Sequence, residues 1–171
     1  TTVSNPESAR FWWKIAYIGI ITIPFTFLHF VLEFIDNTFL NRYKNRIIVL
    51  LYGFASVFLF LNLTTDLIIN DITFLFNELY YNSPPAPLHS YFLVLYIFLT
   101  LVAFYLVYRE YKKKTHDALF RSQVGYFFIA VVVGYTGASM NFLPVYGIWV
   151  HPATNVTVVF GSALIAFAIL R

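Results

Sequence analysis

The chain has 171 residues, of which 60 % are hydrophobic and 11 % charged, with a formal net charge of +3 and a mean hydropathy of +0.72. A soluble domain needs roughly 25 % charged residues to cover its surface, so a cytosolic enzyme and a disordered tail are excluded. The absence of cysteine excludes a disulfide scaffold and thiol chemistry.

Crossing the hydrocarbon core takes about 20 apolar residues, and five stretches qualify. The first, 11–35, follows a polar opening, Thr1 to Arg10, and holds Pro24 at its middle. A proline there removes one backbone hydrogen bond, which makes it either a hinge or a packing kink. His29 and Glu33 share a face four residues apart, near the inner boundary, where Glu33 is expected to pair with Arg46. Two ligands alone do not make a metal site.

The second span covers 46–63 and ends in a polar patch, Asn62 to Asp66. In the connector at 64–87, TTDLIINDITFLFNELYY sets Asp66, Asn70, Thr73 and Asn77 opposite Ile68, Ile72, Leu75 and Leu79. That spacing predicts an amphipathic helix over 66–79 lying in the outer interface. SPPAP at 83–87 ends it.

The third span is 88–108, followed by the basic run YREYKKKTHDALFR, which sets topology and attracts anionic lipid. The fourth, 122–143, carries Gly134, Gly137 and Ala138, small residues that let a neighbouring helix approach closely. A short turn marked by Pro144, Gly147 and Pro152 leads to the fifth span, 152–170. The predicted fold is therefore all-α, a polytopic bundle of five membrane-spanning helices plus the outer amphipathic helix, in one domain. The runs lack the period of two that a barrel strand requires.

Nine Lys and Arg fall on the side holding Arg42–Arg46, Arg109–Arg121 and Arg171, against two, Arg10 and Lys14, on the other. The positive-inside rule then places the N-terminus outside and the C-terminus in the cytoplasm. The basic residues lie between apolar runs rather than on one face, so a nucleic-acid partner is not expected. The expected partners are the bilayer and other membrane helices or subunits.

No nucleophile with an adjacent base, paired buried carboxylate or phosphate loop appears, so no enzyme activity is expected. The residue pattern singles out no metal and no particular cofactor. The outer helix ends supply Asn62, Asp66, Asn141, Tyr146, Trp149, His151 and Asn155. These polar groups and aromatic walls make either a pocket for a small ligand or an aromatic belt with helix caps.

FWWKIAYIGIITIPFTFLHFVLEF resembles the third helix of the seven-helix N-terminal sensor region of bacterial and archaeal histidine kinases: a tryptophan-rich start, then Gly, then Pro before aromatics. FRSQVGYFFIAVVVGYTGASMNFLPVYGIWVHPATNVTVVFGSALIAFAILR resembles its last two helices, through Arg–x–Gln, mid-helix small residues, Asn–Phe–x–Pro, Tyr–Gly and His–Pro. The resemblance covers about 11–62 and 88–171. It implies helices three to seven of a sensor in a prokaryotic inner or plasma membrane, with its output domain outside this chain. Two other classes fit the residues: a non-catalytic accessory or scaffold subunit of a larger membrane complex, and a piece of a transporter or channel, which would need midplane polar residues that are sparse here.

Overall fold

The computed structural model describes residues 5–35, 38–75, 77, 79–113, 118–150 and 156–170. Its order is α1 (Pro6–Phe34), α2 (Thr38–Thr64), β1 (Ile72–Leu75), β2 (Leu79–Asn82), α3 (His89–Lys113), α4 (Ala118–Ser139) and α5 (Val156–Leu170). The fold is all-α with one small hairpin. Among the described residues four helices are long and apolar enough to cross a membrane: α1, α2 from Arg42, α3, and α4 with the turns that follow it to Tyr146. The described part of α5 is 15 residues long. Two compact units divide the chain, Thr1–Leu106 and Val107–Arg171.

In the first unit α1 starts as its residues dictate. The Asn5 side chain caps the Glu7 N–H at 2.9 Å, Pro6 occupies the first turn, and Glu7 complements the helix dipole. Its buried positions, Tyr17, Ile21, Pro24, Phe25, Leu28, Val31 and Leu32, recur at helical spacing and form one stripe. Phe11, Trp12, Ile15, Ile23 and Phe30 lie exposed, as on a helix whose outer face meets lipid. Around Pro24 the hydroxyl of Thr22 donates to the Ile18 and Gly19 carbonyls, and that of Thr26 donates to Thr22 and Ile23. Toward its C-terminal end α1 is clasped to α2. His29 Nδ1 and Tyr52 Oη share a 2.9 Å hydrogen bond, and Lys44 donates to Glu33 at 2.8 Å. The sequence reading gave Glu33 to Arg46. Lys44, with its flexible stem, is the cation that reaches it.

The connector departs from expectation. In place of an amphipathic helix over 66–79 there is an antiparallel hairpin, with Ile72 opposite Asn82, Phe74 opposite Tyr80 and Leu75 opposite Leu79. The reason is local. Asn70 and Asp71 are weak helix formers, while Ile72, Thr73, Phe74, Tyr80 and Tyr81 favour a pleated surface. Phe74 and Tyr80 pair across the strands with ring centroids 4.8 Å apart. Asn77, between the strands, adopts φ +56°, a left-handed backbone that Asn tolerates better than most residues. Adjacent Ile68 and Ile69 are both fully buried, which a one-sided surface helix does not permit.

In the second unit α4 packs along α5 at backbone distance. An added Cβ at Gly161 would lie 2.9 Å from both the Ala130 carbonyl oxygen and the Gly134 Cα. α4 ends at Ser139 and gives way to two 3-10 turns, Met140–Phe142 and Pro144–Tyr146, so the helix stops short of the expected 143. Gly147, at φ +79°, closes the second turn; its N–H donates to the Pro144 carbonyl and that of Ile148 to the Leu143 carbonyl. This is the Schellman arrangement that a glycine past a helix end allows.

Candidate functional site

A cluster of polar and aromatic side chains in the first unit lies where the connector sits against α1. Four elements build it. From α1, Trp13 Nε1 donates to the Tyr80 carbonyl at 2.7 Å, tying the helix to β2. One residue on, Lys14 Nζ donates to the Thr65 carbonyl at 2.9 Å and to Asp66 Oδ1 at 3.0 Å, and Arg10 also pairs with Asp66. From α2, Asn62 is fully buried and its Nδ2 donates to the Lys14 carbonyl at 2.9 Å. Arg10 and Lys14 hold the Asp66 carboxyl below the usual aspartate range.

Below this layer, Tyr17 of α1 and His89 at the start of α3 share a hydrogen bond of 2.8 Å between Tyr17 Oη and His89 Nε2. Both are shut off from solvent, at 1 % and 0 % exposure. Tyr17 also meets Phe92 and Trp13, and Trp13 meets Tyr81, so the polar pair is enclosed by rings. Burying two polar groups is tolerable because each satisfies the other. Burial also raises the Tyr81 hydroxyl above its ordinary pKa and keeps it protonated.

The connector closes over the cluster by backbone bonds. The Leu88 N–H donates to the Leu67 carbonyl at 2.8 Å, and the Ser83 N–H to the Asp71 carbonyl at 3.2 Å. Asn82, fully buried, donates to the Ile68 carbonyl. Asn62 Oδ1 and Asn82 Oδ1 are buried acceptors with no hydrogen-bond partner among the described residues.

The expected site residues fall out as follows. Asn62 and Asp66 are joined through Lys14. In the second unit Asn141 donates to the Ala138 carbonyl at 3.1 Å, while Tyr146 and Trp149 stand exposed on the turn after α4. His151 and Asn155 lie outside the described residues. Gly137 is buried and Ala138 half-buried, and Gly134 faces Gly161. Sequence reasoning missed His89, Tyr17 and Trp13. The available signal for His89 was an ionisable residue directly after a proline-rich turn at the start of an apolar helix, a position that costs energy unless a partner waits there.

Among the described residues no group of three or more His, Cys, Asp or Glu is placed to hold a metal ion. What the arrangement does show is linkage: the connector, α1, α2 and α3 are joined by directional hydrogen bonds.

The family model described as the N-terminal 7TM region of histidine kinase matches residues 1–171. No curated protein and no solved structure matches the chain.

Proposed function

Because the chain belongs to the family of N-terminal 7TM regions of histidine kinases, and is thereby a membrane sensory input domain, we propose that it receives its stimulus at the connector end and transmits it along α1. The supporting observation is the buried Tyr17–His89 bond, which ties α1 to α3 directly beneath the hairpin. A ligand or a change in the membrane that moves the connector would pull on Trp13, Lys14 and Tyr17, all within one and a half turns of α1. Pro24, seven residues further on, is the proposed hinge, since its missing N–H leaves the helix one hydrogen bond short. The unpartnered oxygens of Asn62 and Asn82 favour a ligand that donates hydrogen bonds. Asp66 would act through its cations, and Asn141, Tyr146, Trp149, His151 and Asn155 would supply the polar and aromatic groups of the second unit.

We further propose five spans, with α5 as the last, and the connector outside, on the basis of the nine-to-two distribution of Lys and Arg. The cysteine-free chain makes both readings testable. A single cysteine at Asn77 should react with an impermeant reagent on intact cells, and one at Lys113 only after permeabilisation; the opposite pattern would reverse the orientation. For transmission, a spin label replaces exposed Phe30, about 20 Å along α1 from Tyr17. His89→Phe and Tyr17→Phe should each change its mobility while the protein stays folded and monodisperse. An unchanged spectrum in both variants would refute coupling through this bond.

A further inference from the structure

A second feature lies in the unit Val107–Arg171, away from the Tyr17–His89 pair in sequence and chemistry. The last turns of α3 and the first half of α4 flank a cleft of about 260 Å³, walled by Tyr108 and Tyr111 on one side and Val124, Gly125 and Phe128 on the other. Its lining is almost wholly apolar. At the rim both tyrosines carry a cation: Lys112 Nζ lies 5.0 Å from the Tyr108 ring centre, and the Arg121 guanidinium lies 5.0 Å from that of Tyr111 while donating to its hydroxyl at 3.1 Å.

We propose that this cleft binds an anionic phospholipid, with an acyl chain against Gly125 and Phe128 and the headgroup phosphate between Lys112 and Arg121. Charge complementarity selects this occupant. Glu110 pairs with Lys113 at 3.5 Å, and among the described residues no carboxylate pairs with Lys112. A cation held over a tyrosine face is stabilised there, and an ammonium has three donors and a guanidinium five, more than one partner takes up. An apolar slot ending at such cations matches an acyl chain ending at a phosphate, and basic pockets between membrane helices are suited to acidic headgroups. Gly125 is the opening in the wall: a Cβ added there meets nothing within 4 Å, so a larger side chain would fill the cleft without displacing the backbone.

The purified chain in nanodiscs or mild detergent tests this by native mass spectrometry and by lipid-dependent thermal stability, with phosphatidylglycerol against phosphatidylcholine. Both leaflets of a nanodisc are alike, so the result does not depend on the orientation proposed above. Wild type should retain phosphatidylglycerol in preference to phosphatidylcholine, and inorganic phosphate should not displace it. Gly125→Leu should lose the bound lipid while keeping its helical signal and monodispersity. Lys112→Gln and Arg121→Gln should each weaken phosphatidylglycerol about fivefold, as expected for one basic residue near an anionic headgroup, and leave phosphatidylcholine unaffected. Equal retention of the two lipids by wild type, undiminished binding by Gly125→Leu, or complete displacement by free phosphate would each overturn the proposal.

Discussion

Replacing Gly161 with alanine asks whether α4 and α5 touch backbone to backbone. The new methyl would lie 2.9 Å from the Ala130 oxygen, 2.9 Å from the Gly134 Cα and 3.1 Å from the Gly134 nitrogen. Carbon atoms rest at about 3.5–4.0 Å, so α5 must retreat by roughly 0.6–1 Å. All three obstacles are main-chain atoms, and no rotamer change relieves them. Overpacking of this kind costs about 1–3 kcal/mol. The better helix propensity of alanine returns up to about 1 kcal/mol, leaving a net loss of about 1 kcal/mol. Gly134→Ala is the internal control. Its Cβ would meet only the Gly161 Cα, at 3.8 Å, an ordinary contact, so it should be neutral or slightly stabilising. Gly134→Leu should disrupt the pair, because its branch extends past that contact into α5. Thermal unfolding in detergent, followed by far-ultraviolet circular dichroism with size exclusion as a fold check, reads all three. The reasoning fails if Gly161→Ala unfolds at or above the wild-type temperature, or if Gly134→Ala loses as much as Gly161→Ala.

Two further outcomes concern the connector. The Asp66 carboxyl is depressed by Arg10 and Lys14, so its contribution is complete above the usual aspartate range and is lost as pH falls through the lowered folded value. Asp66→Asn should therefore speed amide exchange over residues 65–82 at neutral pH, and the difference from wild type should vanish at strongly acid pH; a difference independent of pH would contradict the ion pair. Asn77→Val should destabilise the hairpin by about 1–2 kcal/mol, since a β-branched residue is costly at φ +56°, whereas Asn77→Gly should preserve it. Exchange protection in β1 and β2 measures both, and equal protection in the two variants would place Asn77 outside the left-handed region.

How much of this was legible in the sequence depends on the range of the interaction. The stripe from Tyr17 to Leu32 follows from helical period alone, and the apolar lengths gave α1 to α4. The small residues of α4 drew attention to Gly134. Its complement Gly161, followed by Ser162 and Ala163, carries a similar signal on α5. The hairpin is hidden in the sequence because Asp66, Asn70, Thr73 and Asn77 happen to sit at helical spacing; strand propensity and the Asn77 turn decide the outcome only once Phe74 and Tyr80 can pair.

The cluster beneath the connector was hidden for a different reason. Tyr17 and His89 are 72 residues apart, and neither belongs to a local motif. Beside this pair and the Asp66 ion pairs, the cluster is tied by bonds to main-chain oxygens: Trp13 to Tyr80, Lys14 to Thr65, Asn62 to Lys14, Asn82 to Ile68. Every residue offers such an acceptor, so these bonds leave no pairing pattern between side-chain types. In a bundle where most surfaces are apolar and interchangeable, the few buried donors select which segments meet. Asn62 and Trp13 thus carry more of the architecture than their neighbours, because lipid can solvate an exposed Phe but offers nothing to an unpaired amide.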